Sequence, residues 1–382
     1  MTRPLALAAL FALAGCAAAP PPAGGGPSAD GPIAGGPSLR EAYAGAFRVG
    51  VALNAAQATQ DDPRGNPIVE REFNSIVNEN LLKWAVVHPE RGVYDFALAD
   101  AFVAYGEAHG MEIIGHALVW HEQIGDWAFE HEDGTPLSRD ELLAVMEDHI
   151  ATVVGRYRGR IHGWDVVNEA LAEDGSMRDT KWRQIIGDDY IEHAFRFAHA
   201  ADPDAELYYN DYGTENADKR AGAIRLLDGL VAAGVRLDGV GIQSHQWMDW
   251  PTLEATEAAI EAFAPYGPVM ITELDIGVLV DWPDQRSADV SLRGTLTPES
   301  DPYADGLPPR MQRALAERYA DVFRVFWRHR DTISRVTFWG VTDGDSWRNY
   351  WPIRDRSNYP LLFDRDGARK AAYDAVLAVP TE

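Results

Sequence analysis

Short apolar segments alternate with segments of helical periodicity along this chain from residue 47 onward. Each apolar segment has four to eight residues, the usual length of a buried parallel strand. We predict eight strands, at Arg48–Leu53, Leu81–Trp84, Glu112–Val119, Gly163–Val167, Glu206–Asn210, Gly239–Ser244, Val269–Leu274 and Arg335–Trp339. The helical segments between them include Leu142–Tyr157, Tyr190–Ala200, Ala221–Ala233, Thr252–Phe263 and Gln312–Trp327. Strand and helix alternating eight times predicts an α/β fold, the (β/α)8 TIM barrel.

A doubly wound open sheet is the alternative fold for a chain in which strands and helices alternate. In that fold a glycine-rich turn often follows the first strand and binds phosphate. Here the first strand runs instead into Asn54-Ala55-Ala56-Gln57, which contains no glycine. The barrel is therefore the preferred prediction.

Two of the predicted strands carry a glutamate near the point where the strand meets its loop. Trp164-Asp165-Val166-Val167 leads into Asn168 and Glu169, and Val269-Met270-Ile271-Thr272 leads into Glu273. Active sites of TIM barrels lie at this end of the strands, where a rigid element supports each side chain. Either glutamate alone could simply begin a solvated loop. Two strand-end carboxylates, however, are the minimum requirement for cleaving a glycosidic bond.

Other polar and aromatic residues follow the predicted strands at the same end of the barrel. They are Glu79, Asn80, Lys83 and Trp84 beside the second strand, His116, Trp120 and Gln123 in and after the third, Asn210, Asp211 and Tyr212 at the fifth, Gln243, Ser244 and His245 at the sixth, and Trp339, Asp343 and Trp347 at the eighth. Any one of them could be a satisfied polar residue of the core. Their shared position instead indicates one active-site face.

Charge and motif content argue against two other classes of function. The formal net charge of −25 does not suit nucleic-acid binding, which requires clustered Lys and Arg. Histidines at His116, His121, His162 and His245 raise the alternative of a metal-dependent hydrolase. The chain contains no His-x-His after the first strand and no His-Glu-x-x-His, so we expect no metal and no cofactor.

The N-terminus has the pattern of a secretion signal followed by a tether. Arg3 precedes a short apolar run that ends in Leu13-Ala14-Gly15-Cys16, which resembles a bacterial lipoprotein signal. Cys16 is the single cysteine, so an intramolecular disulfide is excluded. We predict a signal peptide at 1–15, an Ala/Gly/Pro-rich tether at 16–38 and a catalytic barrel at 39–382. The alternative is an ordinary signal peptide with an incidental cysteine.

Seven stretches together resemble glycoside hydrolase family 10, the endo-β-1,4-xylanases. They are Glu79-Asn80 with Lys83-Trp84, GHALVWHEQ, WDVVNEA, YYNDYG, GIQSHQ, ITELDI and TFWGVTDGDSW, and the resemblance extends from about residue 39 to residue 378. It implies a (β/α)8 barrel and hydrolysis of xylan or xylo-oligosaccharides with net retention. The expected protein is a monomer that is secreted across the inner membrane. It contacts a membrane only through a lipid on Cys16, and it lies in the periplasm or at the cell surface.

The resemblance also implies roles for individual residues. Glu169 is expected to be the acid/base and Glu273 the nucleophile, with His245 and its partner Asp275 orienting Glu273. The expected substrate-binding residues are Glu79, Asn80, Lys83, His116, Trp120, Asn168, Tyr212, Gln243, Trp339 and Trp347. Among these, the indole rings are expected to stack on sugar rings. The alternative for the polar members is a network that only closes the top of the barrel.

One alternative function and two loops remain to be decided. A glycan-binding lipoprotein without activity would keep the tryptophans but would need neither glutamate. The Pro-rich insertion from Asp281 to Pro309 is either a plain surface loop or a wall of the substrate cleft. The loop before Trp127 lacks the proline that is typical of the family, so the resemblance does not fix the position of this tryptophan.

Overall fold

Eight parallel strands close into a barrel in this computed structural model, which describes residues 36–279 and 287–382. The strands are β1 (Arg48–Leu53), β2 (Ser75–Asn78), β3 (Glu112–Val119), β4 (Gly163–Asn168), β5 (Glu206–Asp211), β6 (Gly239–Ile242), β8 (Val269–Gly277) and β9 (Ile333–Phe338). β6 pairs with β8, and β9 pairs back with β1, which closes the ring. A ninth short strand, β7 (His245–Trp247), pairs with the last residues of β8. The predicted (β/α)8 barrel is confirmed.

Helices surround the barrel and join its strands. They are α1 (Leu39–Ala42), α2 (Ala55–Ala58), α3 (Gly65–Glu72), α4 (Trp84–Val87), α5 (Ala97–Ala108), α6 (Arg139–Arg156), α7 (Lys181–Ile186), α8 (Tyr190–Ala201), α9 (Ala217–Ala232), α10 (Leu253–Phe263), α11 (Pro309–Arg328) and α12 (Ala371–Ala378). Short 3₁₀ turns lie at Asp126–Ala128, Ala264–Tyr266, Trp347–Asn349 and Val379–Thr381. Local sequence explains several boundaries. Ser138 and Glu141, for example, form a capping box at the start of α6.

The interior of the barrel is filled by side chains from several strands. A buried cluster contains Ala52, Val77, Ile114, Tyr208, Met270 and Trp339. Burying a large apolar side chain stabilises the fold by about 1.5–3 kcal/mol, so these layers hold the strand ends in fixed positions. The polar residues described below stand on this packed base.

Most predicted element boundaries agree with the structure, but the second strand was placed wrongly. β1 and β3 have the predicted bounds, whereas the second strand is Ser75–Asn78 and not Leu81–Trp84. The segment Leu81–Trp84 is buried because its apolar side chains pack beneath the loop, and α4 begins at Trp84. As a consequence, Glu79, Asn80 and Lys83 all lie beyond the C-terminal end of β2 rather than on both sides of a strand.

The five predicted helices correspond to α6, α8, α9, α10 and α11, with ends that differ by up to four residues. The predicted signal peptide and nearly all of the predicted tether lie outside the described residues. Within residues 36–279 and 287–382, no helix is both long enough and apolar enough to cross a membrane.

Candidate active site

A cleft opens at the C-terminal ends of the barrel strands and contains both glutamates. Its walls are formed by Glu79, Asn80, Lys83, His116, Trp120, Gln123, Asn168, Glu169, Gln243, His245, Glu273, Ala288, Val290, Trp339 and Trp347. Residues that are separate in sequence therefore meet at one face, because parallel strands present all of their C-terminal ends on the same side.

Glu273 belongs to β8 and is buried with its neighbours along that strand. Its Oε1 accepts a hydrogen bond from Asn210 Nδ2 at 2.9 Å, and its Oε2 lies 3.2 Å from His245 Nε2. Burial alone would raise the pKa of Glu273, but the hydrogen bond from His245 and the positive charges of His245 and Lys83 outweigh it and lower the pKa. Glu273 is therefore held as a carboxylate.

His245 connects Glu273 to a second buried carboxylate, that of Asp275. His245 Nδ1 lies 3.0 Å from Asp275 Oδ1, and both side chains are almost fully buried. Burial opposes a charged imidazole, but Asp275 and Glu273 together raise the pKa of His245 to about 9. His245 is consequently a cation at neutral pH and donates from both ring nitrogens.

Asp275 is fixed by two further side chains from the loop after β9. Its Oδ1 accepts from Arg348 Nε at 2.9 Å, and its Oδ2 accepts from Trp347 Nε1 at 2.7 Å. Burial would raise the pKa of Asp275, yet the charges of Arg348 and His245 lower it to about 2. Charges of alternating sign therefore run from the loop to the cleft, through Arg348, Asp275, His245 and Glu273. We call these four residues the nucleophile relay.

Glu169 lies one residue beyond the end of β4 and has a left-handed backbone conformation, with φ of 59°. Its Oε2 accepts from Trp120 Nε1 at 2.9 Å, and its Oε1 accepts from Gln243 Nε2 at 3.0 Å. Asn168 Nδ2 lies 3.2 Å from the same Oε1. Each of these three donors is neutral, so the hydrogen bonds to this carboxyl group come from dipoles and not from charges.

Side-chain amides link the two glutamates. Asn168 Oδ1 accepts from Asn210 Nδ2 at 2.9 Å and from Gln243 Nε2 at 3.2 Å. The same two amide groups also contact Glu273 and Glu169, respectively. A displacement of any one amide would therefore be transmitted to both carboxyl groups, and the network fixes their relative position.

Charged and aromatic residues form the cleft around these glutamates. Lys83 Nζ donates a hydrogen bond to Asn80 Oδ1 at 3.1 Å. The same Nζ lies 4.5 Å from the centre of the Trp120 ring. Burial lowers the pKa of Lys83 despite the nearby carboxylates, and burial likewise raises the pKa of Glu79. His116 is anchored by Asp165 at 2.9 Å.

Twelve of the thirteen predicted site residues line this cleft, and Tyr212 is the exception. Tyr212 is buried behind Glu169, where its hydroxyl accepts from Arg178 Nη2 at 2.8 Å and its ring lies 3.4 Å from Lys219 Nζ. Its role as a direct sugar-binding residue stays a prediction, while in this structure its hydroxyl is engaged by Arg178 and its ring is covered by Lys219.

Several contributors to the site had no catalytic or substrate-binding role assigned from the sequence. Asn210 was expected on the active-site face without an assigned role, and it donates to Glu273. Arg348 acts through a buried hydrogen bond to Asp275 that no local motif reveals. Gln123, which closes the stretch GHALVWHEQ, was also expected on the active-site face without an assigned role, and it lines the cleft. Ala288 and Val290 belong to the insertion after β8, and their presence in the cleft shows that its described part is a wall of the cleft. In residues 36–279 and 287–382, no three His, Cys, Asp or Glu side chains are grouped so as to hold a metal ion.

Comparisons with known proteins agree with this geometry. The sequence profile of Glycosyl hydrolase family 10 matches residues 38–379. Endo-1,4-beta-xylanase A of Xylanibacter ruminicola is 43% identical over 86% of this chain and 90% of that protein. Endo-1,4-beta-xylanase of Geobacillus stearothermophilus is 39% identical over 90% of this chain and 98% of that protein.

Solved structures give the same result. A GH10 endoxylanase retrieved from a sugarcane soil metagenome superposes with a TM-score of 0.86 at 43% identity, covering 90% of this chain and 100% of that one. Xylanase XynB from Paenibacillus barcinonensis, solved with a conduramine derivative, gives a TM-score of 0.80 at 36% identity over 90% and 98% of the two chains. The match over nearly the whole barrel, together with two glutamates at the ends of strands in one cleft, shows that this chain belongs to glycosyl hydrolase family 10.

Proposed function

We propose that this chain is an endo-1,4-β-xylanase in which Glu273 attacks the sugar and Glu169 exchanges the proton. The observation that carries the proposal is the contrast between the two carboxyl groups. Glu273 is held ionised by the nucleophile relay, whereas the hydrogen bonds to Glu169 come from neutral groups. Retaining hydrolysis requires one carboxylate and one carboxylic acid at the same moment.

In the first step, Glu273 attacks the anomeric carbon while Glu169 donates its proton to the departing glycosidic oxygen. The bond to the leaving sugar breaks, and a covalent glycosyl-enzyme forms. Glu169 is now a carboxylate. In the second step it accepts a proton from water, and the resulting hydroxide oxygen displaces Glu273 from the anomeric carbon. Two inversions give net retention.

The remaining cleft residues supply binding and orientation. Asn168 is placed beside both reacting carboxyl groups through its hydrogen bonds, a suitable position for contacting the 2-hydroxyl of the sugar under attack. Glu79, Asn80 and Lys83 present several donors and acceptors to sugar hydroxyl groups in the cleft. Trp339 and Trp347 offer aromatic faces to pyranose rings.

A product profile on linear and branched xylans tests the activity. We expect the purified chain to release short xylo-oligosaccharides from internal positions, with the β configuration first observed by NMR. An exposed control variant, Glu261→Ala on α10, should give the same profile. Failure of the wild-type protein to release reducing sugar from any xylan, while it stays folded, would contradict the proposed activity.

We further propose that the chain is exported and anchored through a lipid on Cys16, and that it works as a monomer. Leu13-Ala14-Gly15-Cys16 closing a short apolar run supports this location. Cys16→Ser should move activity from the membrane fraction to the soluble fraction or block processing. Unchanged membrane association, with no acyl chain detected by mass spectrometry, would contradict the anchor. Two acyl chains give stable anchoring, whereas one is marginal.

A further inference from the structure

The described part of the insertion after β8 is tied to loops on two sides of the barrel. We call residues 287–294 the wall segment. At one end Ser287 Oγ donates to Glu173 Oε1 at 2.5 Å, and at the other end Gly294 N donates to Pro352 O at 2.8 Å. Between these ties, Ala288 and Val290 line the cleft. The wall segment is therefore fixed to the loop that follows β4 and to the loop that follows β9.

Asp289 lies at the centre of the wall segment and faces away from solvent for most of its surface. Its carbonyl oxygen accepts from Trp351 Nε1 at 3.1 Å, and its Oδ2 lies 3.4 Å from Arg178 Nη1. The side chains of Arg178 and Asp289 are 16% and 26% exposed. Screening by water is consequently weaker than for an ion pair on the open surface.

Arg178 also holds the peptide that carries Glu169. Its Nε donates to the carbonyl oxygen of Glu169 at 3.2 Å, and its Nη2 donates to Leu171 O at 3.1 Å and to Tyr212 Oη at 2.8 Å. On the other side of this residue, Glu169 N donates to Asn210 O at 2.9 Å. The left-handed residue is thus held through both its N–H group and its carbonyl group.

We propose that Asp289 and Arg178 form a positioning pair that aims the carboxyl group of Glu169 at the oxygen of the departing sugar. This inference rests on the proposed function, since it assigns a support to the proposed acid/base. Neither residue exchanges the proton. Asp289 fixes the guanidinium group, and the guanidinium group fixes the backbone of Glu169.

The physical reason is the backbone conformation of Glu169. A non-glycine residue in the left-handed region costs roughly 1–3 kcal/mol and persists only where its surroundings impose it. A small displacement of a proton donor has a large effect on rate, about 10²-fold for 1 Å. An arginine fixed in place by Asp289 and Tyr212 can impose this conformation, whereas a loosely held arginine cannot.

The test compares leaving groups that need protonation to different extents. Aryl β-xylobiosides with a dinitrophenyl leaving group need no acid, whereas phenyl xylobioside and xylotetraose do. For Asp289→Asn, kcat/KM should fall by about tenfold on the poor leaving groups and stay within about twofold on the dinitrophenyl substrate. Asp301→Asn is the matched control, since Asp301 belongs to the same insertion but accepts from Ser357 N.

A second variant separates positioning from general structural support. Arg178→Lys keeps the charge but removes the fork of donors, and it should show the same dependence on leaving group with a larger loss. Thermal unfolding checks that both variants are folded. Equal losses on all leaving groups, or no loss on any of them, would overturn the positioning pair.

A double-mutant cycle completes the experiment. In a Glu169→Ala background there is no acid left to position, so Asp289→Asn should cause no further loss on phenyl xylobioside. An additional tenfold loss in that background would show that the pair acts on something other than Glu169. The proposed activity is judged separately, because it fails if the folded wild-type protein releases no reducing sugar from xylan.

Discussion

Glu273 stands within the nine-residue strand β8, whereas Glu169 stands just beyond the end of β4. The hydrogen bonds of Glu273 include one from a charged imidazole, which is itself held by Asp275 and Arg348. The hydrogen bonds of Glu169 come from an indole and two amides. One carboxyl group belongs to a strand and has a charged support, and the other belongs to a left-handed residue and has a neutral support.

The difference corresponds to the two tasks of a retaining glycosidase. A nucleophile must be ionised before each reaction, so fixed positive charge beside Glu273 is an advantage. An acid/base must exist in both protonation states during one cycle, and a fixed cation bonded to it would favour one of them. Neutral donors, such as those around Glu169, orient the carboxyl group without imposing its charge.

Exchanging each glutamate for alanine is the most drastic way to test this division of tasks. On natural xylan, Glu273→Ala and Glu169→Ala should each lower kcat by about 10⁴-fold or more, because both attack and protonation are required. On an aryl xylobioside that needs no acid, Glu169→Ala should still form the glycosyl-enzyme, which then accumulates for lack of a base. Mass spectrometry of the intact protein should detect that adduct.

Azide distinguishes the two variants by the configuration of the product. Azide needs no base, so it should attack the glycosyl-enzyme of Glu169→Ala and give the β-glycosyl azide. With Glu273→Ala, azide enters directly from the vacated side and gives the α-azide by a single inversion. The opposite pairing of products would mean that the two roles are reversed. Near wild-type rates on xylan for both variants would contradict the two-carboxylate mechanism itself.

His245→Asn removes the charged part of the support of Glu273. We expect kcat to fall by about 10²-fold with little change in xylan binding, because His245 orients Glu273 rather than the substrate. Loss of the imidazolium also raises the pKa of Glu273, so the acid limb of kcat/KM should move to higher pH. His199→Asn, on the exposed face of α8, is the control.

The same variant has a consequence for stability. His245 has a pKa of about 9 in the folded protein, above its ordinary value of 6.5. Its ion pairs therefore stabilise the fold fully below pH 6.5, and this contribution is lost as pH rises through about 9. The difference in Tm between wild type and His245→Asn should shrink over that interval. In the kinetic experiment, a His245→Asn variant with weaker xylan binding and an unchanged kcat would show that His245 is a binding residue.

Gln243→Leu tests the neutral side of the comparison. It removes one donor to Glu169 at similar volume, and a lost hydrogen bond of about 1.4 kcal/mol corresponds to about a tenfold loss in kcat/KM on xylan. Because the nucleophile relay is intact, the acid limb of the pH profile should not move. A shift of that limb as large as the one in His245→Asn would remove the distinction between charged and neutral supports.

The sequence was most informative where function depends on residues close together in the chain. Both glutamates could be located in advance, because each lies within or directly after an apolar segment that is recognisable as a strand. These are the segments that contain Asn168-Glu169 and Thr272 to Asp275. The bounds of β1 and β3 were also predicted correctly. In each of these segments, local pattern and final structure agree.

The second strand was misplaced, and Tyr212 lies outside the cleft, for physical reasons that local sequence pattern does not contain. Ser75–Asn78 is short and bounded by polar residues, and its strand conformation comes from pairing with β1 and β3. Tyr212 does not line the cleft, and its hydroxyl accepts a hydrogen bond from Arg178, a residue 34 positions away. The link between Asp289 and Arg178 joins two loops 111 positions apart, and only the closed barrel brings them together.

Trp347→Phe is the mildest change, and it decides which side of the comparison Trp347 serves. The indole N–H donates to Asp275 Oδ2 at 2.7 Å, while the ring lies 4.8 Å from that of His245 and 4.6 Å from that of Trp351. Phenylalanine keeps an aromatic face but removes the donor. If Trp347 acts through Asp275, kcat should fall by about three- to tenfold with KM unchanged. A hydrogen bond to a charged group contributes about 1.5–3 kcal/mol, and only part of that energy affects Glu273, because Asp275 and His245 lie between them. If Trp347 is mainly a platform for sugar rings, KM for xylohexaose should rise while kcat stays the same. Trp327→Phe, on the outer helix α11, is the control and should change neither constant. An unchanged kcat together with a raised KM would therefore place Trp347 with the substrate and outside the support of the nucleophile.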